Sequence, residues 1–149
     1  MLSLQGKSFT TGGARFLDQV PGSPESNAKI FVRFRLGDQV REYTGLLDTG
    51  ATFSILRSDL AKSAGLPTEG SGTATVSTRL GSFKGRLIRW EITLLADEGE
   101  DLRTEATFLI VDEWTGGNFL GYAGFLERIR FALDPSANWF YFGSMDGES

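Results

Sequence analysis

One carboxylate stands out for where it falls in the chain. In Leu46-Leu47-Asp48-Thr49-Gly50-Ala51-Thr52-Phe53-Ser54-Ile55-Leu56, two leucines carry the end of an apolar strand directly into Asp48. Burying an unpaired charge is expensive, so an acid at that point must be hydrogen-bonded or useful. Gly50 permits a sharp turn beside the carboxylate, Thr49 and Ser54 supply hydroxyls, and apolar residues then resume. A carboxylate so placed suits proton transfer as a general acid or base. The plainer reading is a turn in which Asp48 caps its own backbone, ordinary chemistry for Asp-Thr-Gly after a strand.

Composition removes most competing chemistries. The chain contains no Cys and no His. That excludes a disulfide framework, a thiol nucleophile, a zinc ribbon, a Ser-His-Asp triad and imidazole metal ligation. Catalysis would rest on carboxylates, Lys, Tyr or hydroxyls, and the expectation is no cofactor and no metal. Lys62 lies near Ser54, but a helical Lys is expected to point to solvent rather than form a Ser-Lys dyad. Asp97 and Glu98 lack an ordered loop of calcium ligands. A formal charge of −4 over 149 residues argues against a nucleic-acid partner. No stretch reaches the ~18–20 apolar residues of a membrane span, and the amino terminus has no signal-like core, so a cytoplasmic protein is expected.

The elements that must position Asp48 read as mostly β. Nineteen glycines in 149 residues punctuate short segments enriched in Phe, Val, Ile and Thr. The length implies one domain, with residues 1–27 as an arm (an interface strand or a flexible tail), a body over 28–143 and a frayed end at 144–149. Polar Gly22–Asn27 separates arm from body. Alternation over Ile30–Leu36 predicts a half-buried strand, Gly37-Asp38 a tight turn, and Val40–Leu47 its hairpin partner. Ser58 is the expected N-cap of a short helix that Gly65 and Pro67 end. A long hairpin is expected from about Thr73 to Leu95, turning near Gly81-Ser82 or Gly85. The acidic run Ala96–Asp101 reads as a solvated loop, Thr104–Val111 as a strand, and Phe125–Arg130 as a second short helix. Strands at Phe131–Leu133 and Trp139–Phe142 close the chain. Trp90, Trp114 and Trp139 read as packing residues. The Asp48 segment and Phe119-Leu120-Gly121 each lead from strands into a helix, about seventy residues apart, which suggests a two-fold duplication inside one domain.

Leu46–Leu56 resembles the active-site signature of the retropepsin-like aspartic proteases: two hydrophobics, Asp-Thr-Gly-Ala, two variable residues, a hydroxyl residue, then aliphatics. Phe119-Leu120-Gly121 resembles the family's second motif, Thr73–Leu95 falls where the family has its flap, and Asp134-Pro135 with Trp139–Phe142 resembles its finish. The resemblance spans residues 28–143. It implies a mainly β fold, a closed barrel or sandwich with a flap hairpin and one or two short helices. It also implies a peptidase. Asp48 would be the acid/base, Thr49 would lock two loops across a dimer, Gly50 and Ala51 would shape the loop, and Ser54 would support it from beneath. Gly81, Ser82, Phe83 and Gly85 would belong to the flap; Phe83 either lines the pocket or packs on the flap. Phe119, Leu120 and Gly121 would be scaffold.

Two departures from the family pattern stand together. Tyr122, Ala123 and Gly124 occupy the place of a basic residue and an acid, and Thr52 and Phe53 the place of another acid. Because such an enzyme needs two carboxylates and this chain has one Asp-Thr-Gly, the second would come from Asp48 of another copy in a homodimer. Asp134, the nearest internal rival, precedes Pro and lacks the glycine turn. The substrate would be a peptide or protein segment. The alternative is a retropepsin-fold module that dimerises or captures peptide without appreciable hydrolysis.

Overall fold

The computed structural model describes residues 1–18, 29–70, 72–78 and 81–145. The Gly22–Asn27 separator, Ser71 and residues 146–149 of the expected frayed end lie outside the described residues. In chain order the strands are β1 (Ser3–Leu4), β2 (Lys7–Ser8), β3 (Gly12–Arg15), β4 (Phe31–Leu36), β5 (Tyr43–Leu47) and β6 (Ser54–Arg57). Helix α1 (Ser58–Ser63) follows, then β7 (Gly72–Thr78), β8 (Gly81–Leu94), β9 (Glu98–Gly99), β10 (Leu102–Val111) and β11 (Phe119–Leu120). A single 3₁₀ turn, Leu126–Arg128, precedes β12 (Ile129–Asp134) and β13 (Trp139–Ser144). The mainly β expectation holds.

The large sheet runs β10-β6-β11-β5-β4-β8-β7, and β10 also pairs with β8. That extra pairing closes six strands into a barrel and leaves β7 as an edge strand flanking it. One long strand makes this possible. Residues 86–94 of β8 pair antiparallel with β10, while residues 81–87 pair with β7. The barrel interior holds Val32, Phe34, Leu36, Ile88, Ile92, Phe108, Ile110 and Leu120. A second cluster, Ile55, Leu109 and Val111, lies apart from it, with Phe53, Val76, Phe83, Trp114 and Phe119 packed against it. Strand β10 contributes to both, so Phe108 to Val111 is buried throughout rather than alternating.

Several local expectations are revised. The hairpin partner of β4 starts at Tyr43, not Val40: the ladder between the two strands ends at the Phe34–Tyr43 pair, and Val40 is exposed. Ser58 does not cap α1: Arg57 occupies the cap position without a side-chain bond, and the Ser58 hydroxyl donates to Asp112 at 3.0 Å. Gly65 does end the helix at φ 78°, with its N–H on the Lys62 carbonyl and the Leu66 N–H on that of Ala61. The second helix is one turn only, since Ile129 and Arg130 already belong to β12.

The acidic run is no simple solvated loop. Asp97 accepts from the Arg15 N–H at 2.8 Å and from Arg33 at 2.7 Å, Asp101 accepts from the Ala96 N–H at 2.8 Å, and β9 pairs with β3. These bonds tie the barrel to a four-stranded sheet, β12-β13-β3-β9, into which Gly12–Arg15 of the amino-terminal region is built.

Gly85 illustrates how close the flap strand comes to the barrel. It pairs with Ala74 in mid-strand, and a Cβ there would lie 2.6 Å from the Ile110 carbonyl oxygen. Gly85→Ala is expected to cost about 1–3 kcal/mol through this overpacking, read as a lowered urea midpoint with an unchanged slope.

Candidate active site

Asp48 is positioned by main chain before any side chain matters. Strand β11 lies parallel to the end of β5, with Phe119 opposite Leu46 and Leu120 opposite Leu47. The Leu46 N–H donates to the Asn118 carbonyl and the Asp48 N–H to the Leu120 carbonyl, each at 2.9 Å. Past this point the two segments cross. The Tyr122 N–H donates to the Ala51 carbonyl at 2.9 Å and the Ala123 N–H to the Thr52 carbonyl at 2.7 Å. Ser54, fully buried, accepts the Gly121 N–H on its hydroxyl oxygen at 2.9 Å. A side chain at Gly121 would fall 2.6 Å from the Phe53 carbonyl oxygen, so only glycine fits the crossing.

The carboxylate is half-buried, and its Oδ1 accepts the Gly50 N–H at 2.9 Å. The turn reading of Asp48 is thus correct as far as one oxygen goes. Thr49 and Gly50 are exposed at the loop tip, and Ala51 returns its N–H to the Asp48 carbonyl at 3.2 Å. Ser54 is spent on Gly121 while Lys62 is exposed on α1, which removes the Ser-Lys alternative. Asp134 lies in the other sheet, where it accepts from the N–H and hydroxyl of Ser136.

A cleft of about 600 Å³ opens over Asp48. Its lining comprises Gly50, Ala51, Thr52, Phe53 and Ile55 after the acid, Thr75–Thr78 of β7, and Trp114 with Phe119. The expected flap residues divide. Gly81 and Ser82 stand at the start of β8 opposite Thr78 and Ser77, whereas Gly85 lies down the strand and is not a tip residue. Phe83 packs edge-on against Trp114 with ring centroids 5.6 Å apart. Strand β7 shares the cleft with Asp48; it belongs to the hairpin expected over Thr73–Leu95, but the candidate flap residues named from the sequence lie only on β8. Trp114 is both a packing residue and a cleft wall, a double role that its loop setting gave no period to reveal.

Asp112, at the end of β10, fastens the flap strand to α1. It accepts from Arg86 of β8 at 3.1 Å and from the Ser58 hydroxyl at 3.0 Å. The Arg86 bond first, then the Ser58 bond, hold its carboxyl below the ordinary value.

Comparison with known proteins now adds to the geometry. Residues 32–96 match the model of the aspartyl protease family. A crystal structure of a retropepsin-like aspartic protease from Rickettsia conorii matches with a TM-score of 0.56 at 18% identity, covering 78% of this chain and 92% of that one. The fold is retropepsin-like. No curated protein sequence matches the chain significantly. The family match contains Asp48 and runs from Val32 in β4 through the end of β8, and the retropepsin-like structural match extends beyond it.

Two outcomes follow. Ser54→Ala leaves the buried Gly121 N–H without an acceptor and is expected to cost about 1–3 kcal/mol in chemical denaturation. A lowered folded-state pKa stabilises above the unfolded value and is lost as pH falls through the folded one. Urea midpoints measured from about pH 5 down to about pH 2 should therefore fall less steeply in Asp112→Asn than in wild type.

Proposed function

We propose that this chain is an aspartic endopeptidase acting as a homodimer on extended peptide segments, with residues 28–143 as its catalytic domain. The observation that carries this reading is that Asp48 is the only charged side chain among the described residues lining the cleft. A lone carboxylate can take a proton or give one, but peptide hydrolysis by activated water needs both acts at once. A second copy related by a two-fold axis brings an identical Asp48 to the first, and two acids in contact hold one proton between them.

In that dyad the ionised carboxylate removes a proton from water as its oxygen attacks the peptide carbonyl carbon. The protonated carboxyl donates to the carbonyl oxygen. As the tetrahedral species collapses, the first carboxyl gives the proton it took from water to the departing nitrogen, and the hydroxyl proton returns to the second carboxylate; both acids recover their starting states and no covalent enzyme intermediate forms. Thr49, exposed at the loop tip, would meet its twin in such a dimer, and Gly50 would keep the carboxylate approachable. Strand β7 is an edge strand along the cleft. An extended peptide lying beside it would gain main-chain hydrogen bonds as an added strand. Among the described residues no helix is long and apolar enough to cross a membrane.

The test is Asp48→Asn against wild type on a denatured protein and a peptide library, from mildly acidic to neutral pH. Cleavage is expected to fall by at least about 10²–10⁴-fold while sedimentation still reports a dimer. Equal cleavage by the two proteins, or a monomer at high concentration, overturns the reading. A folded dimer that binds peptide and never cuts it favours capture without hydrolysis.

A further inference from the structure

The loop joining β10 to β11, residues 112–118, is fastened at both ends. Asp112 is held by Arg86 and Ser58, as above. Asn118 accepts the Arg57 N–H on its side-chain oxygen and donates its amide to the Thr44 carbonyl, each at 3.2 Å. Between these anchors the Trp114 indole donates to the Gly117 carbonyl at 2.9 Å. A side chain at Gly116 would fall 2.5 Å from the ring, so the loop is folded closely around it. The indole is therefore preset rather than free to swing.

Its contacts run in two directions. On one side it meets Phe83 of β8 edge-on, at 5.6 Å and 87°. On the other it meets Phe119 of β11 at 5.8 Å and 64°. Phe119 adjoins Leu120, whose carbonyl holds the Asp48 N–H. Three rings thus connect the flap hairpin to the strand beneath the carboxylate, and the middle one lines the cleft. Edge-to-face geometry favours such pairs beyond their buried area.

We propose that Trp114 is a positioning residue that sets the height of the flap above Asp48. It acts through Phe83 and Phe119 rather than on the reacting atoms, and its relevance to turnover rests on the peptidase reading above. With the indole removed, β7 and the start of β8 lose the support that keeps them at a fixed distance from the catalytic loop. Peptide would then bind less well while the chemical step on bound peptide stays much the same.

Amide hydrogen exchange on the full chain tests this without any need for turnover. In Trp114→Ala, amides of Thr75–Thr78 and Phe83 are expected to exchange about tenfold faster, with β10 and β13 still protected. Trp114→Phe, which keeps a ring in place, should restore most of the protection. Phe83→Ala cuts the same contact from the flap side and should reproduce the effect; it decides the matter if Trp114→Ala loses protection in β10 and β13 as well. Unchanged flap exchange in a folded variant overturns the proposal. With a cleaved peptide, Trp114→Ala should raise KM about tenfold with kcat little altered, and Trp114→Phe should recover KM. Asp48→Asn should leave flap exchange as in wild type. Absence of turnover in every protein would therefore remove the peptidase reading and leave this one to be decided by exchange.

Discussion

The architecture depends on a crossing of two backbones. Where β5 ends and β11 runs beside it, the Asp48 N–H is held by Leu120, and the chain beyond Gly121 returns its own N–H groups to Ala51 and Thr52. Neither segment is long enough to be stable alone; β11 is two residues. Strand β11 is held between β6 and β5, β5 has β4 on its other edge, and buried Ser54 completes the arrangement by taking the Gly121 N–H. A carboxylate fixed in this way has its direction set by hydrogen bonds between peptide groups, which do not titrate.

The barrel exists to bring these two strand ends together from distant parts of the sequence. Closure needs a strand with partners on both edges along its length, and β8 fills that role: β10 lies along one edge, β7 and then β4 along the other. The acidic segment 96–101 seals the far end by joining β9 to β3 and Asp97 to Arg15 and Arg33. The amino-terminal strand Gly12–Arg15 is thus part of the same small sheet as the chain's last two strands.

Much of this was legible in the sequence, for identifiable reasons. Alternation over residues 30–36 marks a strand with one face in the barrel, and Gly65 with Pro67 marks a helix end by backbone chemistry alone. The Asp48 loop and the Phe119-Leu120-Gly121 segment were readable because each couples apolar residues to a glycine, and at Gly121 close approach requires it. What escaped was decided by partners remote in sequence. Ser58 looks like a cap until Asp112 arrives from β10. Gly85 looks like a turn until Ile110 packs across it. The acids at 97 and 101 look solvated until the residues they bind are folded beside them. Trp114 and Thr75–Thr78 were not marked as cleft residues because a loop aromatic and a polar edge strand become a cleft only once they are folded beside the Asp48 loop.

The fourteen-residue strand β8 has a mechanical consequence. Its barrel half is clamped between neighbours, and its other half projects with β7 as a ribbon, so the flap is no lid on a separate hinge but a cantilever rooted in the core. Gly85 sits just outboard of the clamp, against the Ile110 carbonyl. Access to the cleft is then governed by flexure of a continuous beam, and the stiffness of that beam is inherited from packing inside the barrel.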